Sequence, residues 1–280
     1  MIDFDNYNFT LSQLSDRANR IKSIPLNDSL KMEYYRKILN LVDLTTLEGS
    51  DTPEKIETLC RYALRLQSDN PNNGTVAAVC IYMPFVELAV GLLQNSPLEV
   101  ATVAGGFPSG QLPVHLKKQE IEYAVQQGAN EVDVVISRSL ALMEKWNELQ
   151  EEIIQMKASC GETKMKVILE TGELTEVSKI RKACECAING GADFLKTSTG
   201  KIKPAATPEA FLIILDTINE YRQKTGKMIG VKPAGGIATP DDALHYYLMV
   251  KETLGNEWLD KKWFRIGASR LVGNLLERMK

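Results

Sequence analysis

The chain has 280 residues, enough to bury one large core, and single α/β barrels reach this size. Hydrophobic residues make up 44% and charged residues 25%, the balance of a folded globular protein rather than a disordered one. The net charge is -3, from 33 basic and 36 acidic residues with no long basic tract, which argues against nucleic acid as a partner.

The opening residues, MIDFDNYNFT, place two acids where a signal peptide needs a basic start and an apolar run. No apolar stretch anywhere approaches the roughly 20 residues of a membrane span. The expected location is the cytoplasm, with no membrane partner. Residues 1–38 mix polar and apolar positions and read as an N-terminal helical extension that covers the bottom of the main domain or a partner. Residues 39–280 are expected to form one catalytic domain.

Within that domain, apolar runs of strand length recur: LVDLTT (41–46), VAAVCIY (76–82), EVATVAGG (99–106), EVDVVI (131–136), KMKVILET (164–171), DFLKTST (193–199), IGVKPAG (229–235) and FRIGAS (264–269). Between them lie segments with helical spacing. Several of these open on Thr-Pro, a cap followed by the residue favoured in a helix's first turn, and several close on glycine. Eight alternations of strand and helix without a linker predict a parallel sheet closed into a (β/α)8 TIM barrel, with an open doubly wound sheet as the alternative.

Side chains alternate along a strand, so their facing follows from position. Val42, Leu44, Val79, Ile81, Val132, Val134, Leu195 and Val231 are expected outward, under the helices. Asp43, Thr45, Cys80, Asp133, Phe194, Lys196 and Lys232 are expected to point into the barrel, where Val, Ile and Leu would ordinarily stand. Lys166 and Glu170 are also placed inward, as a structural ion pair or as support for the site.

Lys196 and Lys232 fall at similar depth on adjacent strands. Burial and a neighbouring cation each lower a lysine's pKa, and a shift of about 3 units corresponds to roughly 4 kcal/mol. One of the two is therefore expected to be a neutral amine near pH 7, a nucleophile that forms Schiff bases with carbonyl carbons. Asp133 is placed to shuttle protons between the intermediates. The spacing leaves open which lysine reacts, and a purely stabilising Asp133–lysine salt bridge is the competing reading.

Glycines follow strands six, seven and eight in TSTGK (197–201), KPAGG (232–236) and FRIGASR (264–270). Barrel enzymes hold phosphate there, on backbone N–H groups and a short helix, so Gly200, Gly235, Gly236 and Gly267 with Lys201 and Arg270 suggest a phosphorylated small molecule. SRLVGNLL is the candidate short helix, with Ser269 as its cap.

These blocks, in this order over roughly residues 40 to 275, resemble the deoxyribose-phosphate aldolases, class I aldolases of the DeoC type. The resemblance implies that Lys196 is the Schiff-base lysine, that Lys232 lowers its pKa, and that Asp133 relays protons. It further implies that Asp43, Thr45, Cys80 and Thr199 lie near the substrate's carbon chain, and that Gly200, Lys201, Gly235, Gly236 and Ser269 hold the phosphate. The implied reaction is the reversible cleavage of 2-deoxy-D-ribose 5-phosphate to glyceraldehyde 3-phosphate and acetaldehyde, with no metal or organic cofactor. Some members carry a C-terminal tail ending in a tyrosine that reaches the site, whereas this sequence ends LLERMK. Arg270 stands where a second serine is often found, and the segment before residue 39 is longer than in short members.

A metal-dependent aldolase would need several ligands, usually histidines, and the chain has only His115 and His245, both in helical segments. Five scattered cysteines read as free thiols, and Cys184 and Cys186 are spaced to point apart on a helix. Two other readings stay open: a Schiff-base aldolase or transaldolase with another substrate, and a sugar-phosphate-binding barrel without catalysis. A homodimer is allowed by the helix-rich surface and the leader but not required by them.

Overall fold

The computed structural model describes residues 2–69 and 74–280. Helices α1 (Leu11–Lys22) and α2 (Asp28–Leu39) lead into the strands β1 (Val42–Thr45), β2 (Ala78–Tyr82), β3 (Glu99–Ala104), β4 (Glu131–Val135), β5 (Lys164–Ile168), β6 (Phe194–Lys196), β7 (Gly230–Lys232) and β8 (Ile266–Ala268). The connecting and closing helices are α3 (Pro53–Asp69), α4 (Val86–Leu93), α5 (Val114–Gln126), α6 (Arg138–Leu142), α7 (Trp146–Cys160), α8 (Thr171–Leu174), α9 (Val177–Asn189), α10 (Pro208–Thr225), α11 (Pro240–Leu254) and α12 (Leu271–Arg278). The Thr-Pro signals mark real helix starts: Pro53, Pro208 and Pro240 are first residues, and the Thr207 and Thr239 hydroxyls accept the Ala210 and Asp242 N–H groups.

All strand pairs are parallel, in the order β7-β6-β5-β4-β3-β2-β1-β8. Bridges from Val231 to Phe264 and from Ala234 to Gly267 bring β7 back to the β8 segment. The barrel is thereby nearly closed, as the alternation predicts. The strands are shorter than the apolar runs. β6 and β7 hold three residues each, so Lys196 and Lys232 end their strands, at the rim where barrel active sites lie.

The outward set of valines, leucines and isoleucines is buried in one hydrophobic core shared with the helices. On one side of the barrel interior Ala78, Cys80, Ala101 and Val103 of β2 and β3 cluster with Leu47. β1, β4, β5, β6 and β7 carry the charged residues Asp43, Glu131, Asp133, Lys166, Lys196 and Lys232, all of them buried.

The leader packs on the barrel's flank rather than its bottom. α1 contacts α10 and α11, while α2 contacts α11 and α12. Leu14, Ala18, Tyr35 and Ile38 are buried in the main core, and Arg17 and the Tyr7 hydroxyl both donate to Asp216 on α10, at 2.8 and 2.7 Å. The anticipated boundary at residue 38 falls in the last turn of α2. Among the described residues, no helix is long and apolar enough to cross a membrane.

Near the bottom of the barrel, Gly230 pairs in register with Phe194, and a methyl group there would overlap the Phe194 ring. The ring in turn lies 5.8 Å below the Lys166 ammonium. Gly230→Ala is therefore expected to destabilise the protein by about 1–3 kcal/mol, the usual range for overpacking a filled core. An unchanged urea midpoint would show that the ring does not fill that space.

Candidate active site

Inside the barrel, Asp43, Glu131 and Asp133 meet the cations Lys166, Lys196, Lys232 and Arg265, all of them buried. Lys166 bonds Glu131 at 2.6 Å and Asp133 Oδ1 at 2.9 Å. Arg265 spans Asp43 at 2.7 Å and Glu131 at 2.9 Å. Lys232 pairs with Asp43. With every group ionised the set carries one net positive charge, so loss of a single proton neutralises it. Burying an unbalanced charge is costly, which favours that loss.

The geometry indicates which proton. The Lys196 and Lys232 ammonium groups both donate to one atom, Asp133 Oδ2, each at 2.7 Å. Lys196 and Lys232 are also direct partners in the strand register. Burial pushes the Lys196 ammonium below its usual pKa, and the Lys232 charge adds to this against the single carboxylate Asp133. Lys232 is equally buried, but Asp133 and Asp43 outweigh that and hold its pKa above the usual value. Strand spacing alone does not choose between the lysines, whereas their unequal share of carboxylates does. Burial also works against Asp133, but Lys166, Lys196 and Lys232 keep it well below the usual carboxylate range, and hence ionised.

Above this cluster opens a cleft of about 250 Å³ lined by Thr45, Lys196, Thr199, Gly200, Lys201, Gly235, Gly236, Gly267, Ser269 and Arg270, among others. Lys196 is the member of the charged cluster that reaches it. Asp43 and Cys80, expected beside a substrate, do not line the cleft; both are fully buried. Asp43 is engaged by Lys232 and Arg265, and burial raises the Cys80 thiol above its usual pKa. Gly267 lines the cleft and also makes room below it, since a Cβ there would stand 3.2 Å from Lys232 Cε.

At the outer end, Gly200, Gly235 and Gly236 have φ values of 78°, 84° and 83°, in the left-handed region that glycine adopts without strain. A Cβ on Gly235 would lie 2.8 Å from Gly200 Cα, so the two loops abut backbone to backbone. Lys201 extends to the same end and pairs with Glu48 at 2.9 Å. The short helix is present as α12, but its cap residue is Arg270 rather than Ser269, with no side-chain cap hydrogen bond.

Two further expectations are corrected. Lys166 does not pair with Glu170; it bonds Glu131 and Asp133. Glu170 stands past the end of β5 with φ 54° and ψ 57°, and this left-handed turn breaks the alternation that placed it inward. Arg265 and Glu131 complete the charged cluster, yet the sequence reading gave neither a role. Period-two alternation in FRIGAS would have found Arg265, since it falls on the face opposite Phe264, Ile266 and Ala268. Among the described residues no group of three or more His, Cys, Asp or Glu is arranged to hold a metal ion.

The model of the DeoC/LacD family of aldolases matches residues 37–254. The deoxyribose-phosphate aldolase of Homo sapiens is 42% identical over 270 residues, covering 91% of this chain and 85% of the relative. That of Mus musculus is 41% identical, with the same coverage of 91% and 85%. The solved structure of the Aeropyrum pernix deoxyribose phosphate aldolase superposes with a TM-score of 0.67, covering 90% of this chain and 97% of that one, and at 23% identity it bears on the fold alone. With the barrel, the buried lysine pair and matches of this extent, the chain belongs to the DeoC/LacD family of aldolases.

Proposed function

We propose that the protein is a class I aldolase that reversibly cleaves 2-deoxy-D-ribose 5-phosphate to D-glyceraldehyde 3-phosphate and acetaldehyde. The observation that carries this is the pair of lysine ammonium groups sharing one carboxylate oxygen, with only Lys196 reaching the cleft. The names of the mammalian relatives supply the substrate.

In this reading Lys196, as the free amine, adds to the aldehyde carbon C1 of the open-chain sugar. The carbinolamine loses water to give the iminium ion. A base removes the proton of the C3 hydroxyl, and the C2–C3 bond breaks. The electron pair flows into the iminium, leaving an enamine on Lys196 and releasing glyceraldehyde 3-phosphate. Protonation of the enamine at C2 and hydrolysis free acetaldehyde and restore the amine. Asp133, ionised and within 2.7 Å of Lys196, is the group placed to pass these protons. Lys232 keeps the amine's pKa low and stays charged throughout.

Thr45 and Thr199 flank the carbon chain in the cleft, with Asp43 and Cys80 forming the layer beneath. The phosphate lies at the outer end, on the left-handed turns of Gly200, Gly235 and Gly236, with Gly267, Ser269 and Lys201 around it. Arg270 adds a cation there. A homodimer in the cytoplasm completes the proposal, favoured by the exposed Phe9 and Leu11 on the leader and by five free cysteines.

Borohydride added with acetaldehyde tests the chemistry. Reduction of the imine is expected to inactivate the enzyme irreversibly and add one ethyl group, mapped to the peptide that contains Lys196. A barrel that only binds sugar phosphates would show no adduct, and an adduct on Lys232 would reverse the assignment of the two lysines.

A further inference from the structure

Glu170 takes no part in the charged cluster, yet its carboxylate is fully buried. It accepts both hydrogen-bond donors of one residue: the Thr199 N–H to Oε1 at 3.1 Å and the Thr199 hydroxyl to Oε2 at 2.6 Å. The Thr199 oxygen, its proton committed to Glu170, in turn accepts the Lys201 N–H at 3.1 Å. On its other side Glu170 faces Arg138 at 3.8 Å, which is itself bound to Glu173 and to the Ser109 carbonyl at 2.8 and 3.0 Å. One buried side chain thus ties the segment after β4, through Arg138, to the turn after β6.

The backbone at Glu170 is unusual for this purpose. A non-glycine residue in the left-handed region carries a conformational penalty and persists only where its surroundings fix it. Adjacent backbone bonds do so here: Leu169 N–H donates to the Lys196 carbonyl at 3.0 Å, and Thr171 N–H to the Thr197 carbonyl at 2.9 Å. These bonds continue the β5–β6 pairing past the strand ends. The turn at Glu170 then swings its carboxylate onto Thr199 instead of into the barrel.

We infer that Glu170 is a positioning residue: by holding both donors of Thr199 it fixes the Thr199–Gly200–Lys201 turn and so sets the geometry of the cleft's anion-binding end. This rests on the proposed binding of a substrate phosphate at that turn. The Lys196–Asp133–Lys232 cluster has its own contacts and does not include Glu170, so Glu170 acts on binding of the phosphorylated substrate rather than on the amine's chemistry.

The test compares steady-state kinetics of the full-length protein on 2-deoxyribose 5-phosphate and on unphosphorylated 2-deoxyribose. Glu170→Ala is expected to raise KM for the phosphorylated sugar tenfold or more while kcat changes less than threefold. For unphosphorylated 2-deoxyribose, kcat/KM should fall severalfold less than for the phosphorylated sugar, because Gly200 and Lys201 of the displaced turn serve the phosphate end and Thr199 alone flanks the carbon chain. Glu170→Gln, which keeps the shape and one acceptor, should fall between wild type and Glu170→Ala, and it carries the test if the alanine variant does not fold. A purely structural role would lower the melting temperature and leave the ratio of the two kcat/KM values unchanged; that outcome, or equal losses on both substrates, overturns the inference. If the wild-type protein cleaves neither sugar, the proposed function fails instead, which separates the two failures.

Discussion

One carboxylate oxygen, Asp133 Oδ2, receives both the Lys196 and the Lys232 ammonium groups, and the other oxygen receives Lys166. A barrel interior offers little water to separate like charges, so this sharing cannot be neutral for the amines. Lys232 has a second carboxylate in Asp43 and stays protonated. Lys196 has only its part of Asp133 and lies at the cleft, where a neutral nitrogen is useful. The opposite pKa directions of two identical side chains thus come from where one extra carboxylate stands, and the proposed mechanism rests on that difference.

This arrangement gives each group a distinct pH dependence. Asp43, Glu131 and Asp133 have carboxyl pKa values held below the ordinary range by the surrounding cations. They stabilise the fold above about pH 4, and that contribution is lost as pH falls through their lowered folded-state values. Lys232 is raised, so its contribution is complete below the ordinary lysine value and is lost only as pH rises through its folded value. Lys196 is the exception. Its lowered value means that the unfolded chain binds the proton more tightly, so holding this amine ready works against stability at neutral pH and less so as pH rises. Removing one partner from a buried charged network typically costs about 3–5 kcal/mol, so Arg265 and Glu131 hold the cluster together without touching the cleft.

Much of this was legible in the sequence, for physical reasons that differ by residue. Alternation in EVDVVI, FLK and GVK put Asp133, Lys196 and Lys232 on the inner face because a strand offers only two directions. Glycines in KTSTGK and KPAGG marked the left-handed turns because other residues are strained there. Glu170 was misplaced because one left-handed residue past the strand end reverses the count, and nothing in KVILET signals it. Ser269 was misassigned as the cap of α12 because a serine before a helix is only a statistical signal, and the chain turns helical one residue later. Arg265 lay within reach of the same alternation that placed Asp133. The choice between the lysines was not legible from strand spacing and came only from the family resemblance, since it depends on Asp43, which is 189 residues from Lys232 along the chain but beside it in the barrel.

The most direct measurement of the central claim is an NMR titration of lysine Cε resonances in protein labelled at that carbon, with Lys196 assigned by comparison with Lys196→Arg. Lys196 should titrate below the ordinary value of about 10.4, and in Lys232→Leu its midpoint should move upward as the neighbouring charge is removed. An ordinary midpoint in the wild-type protein, or one that does not respond to the loss of Lys232, would contradict the account.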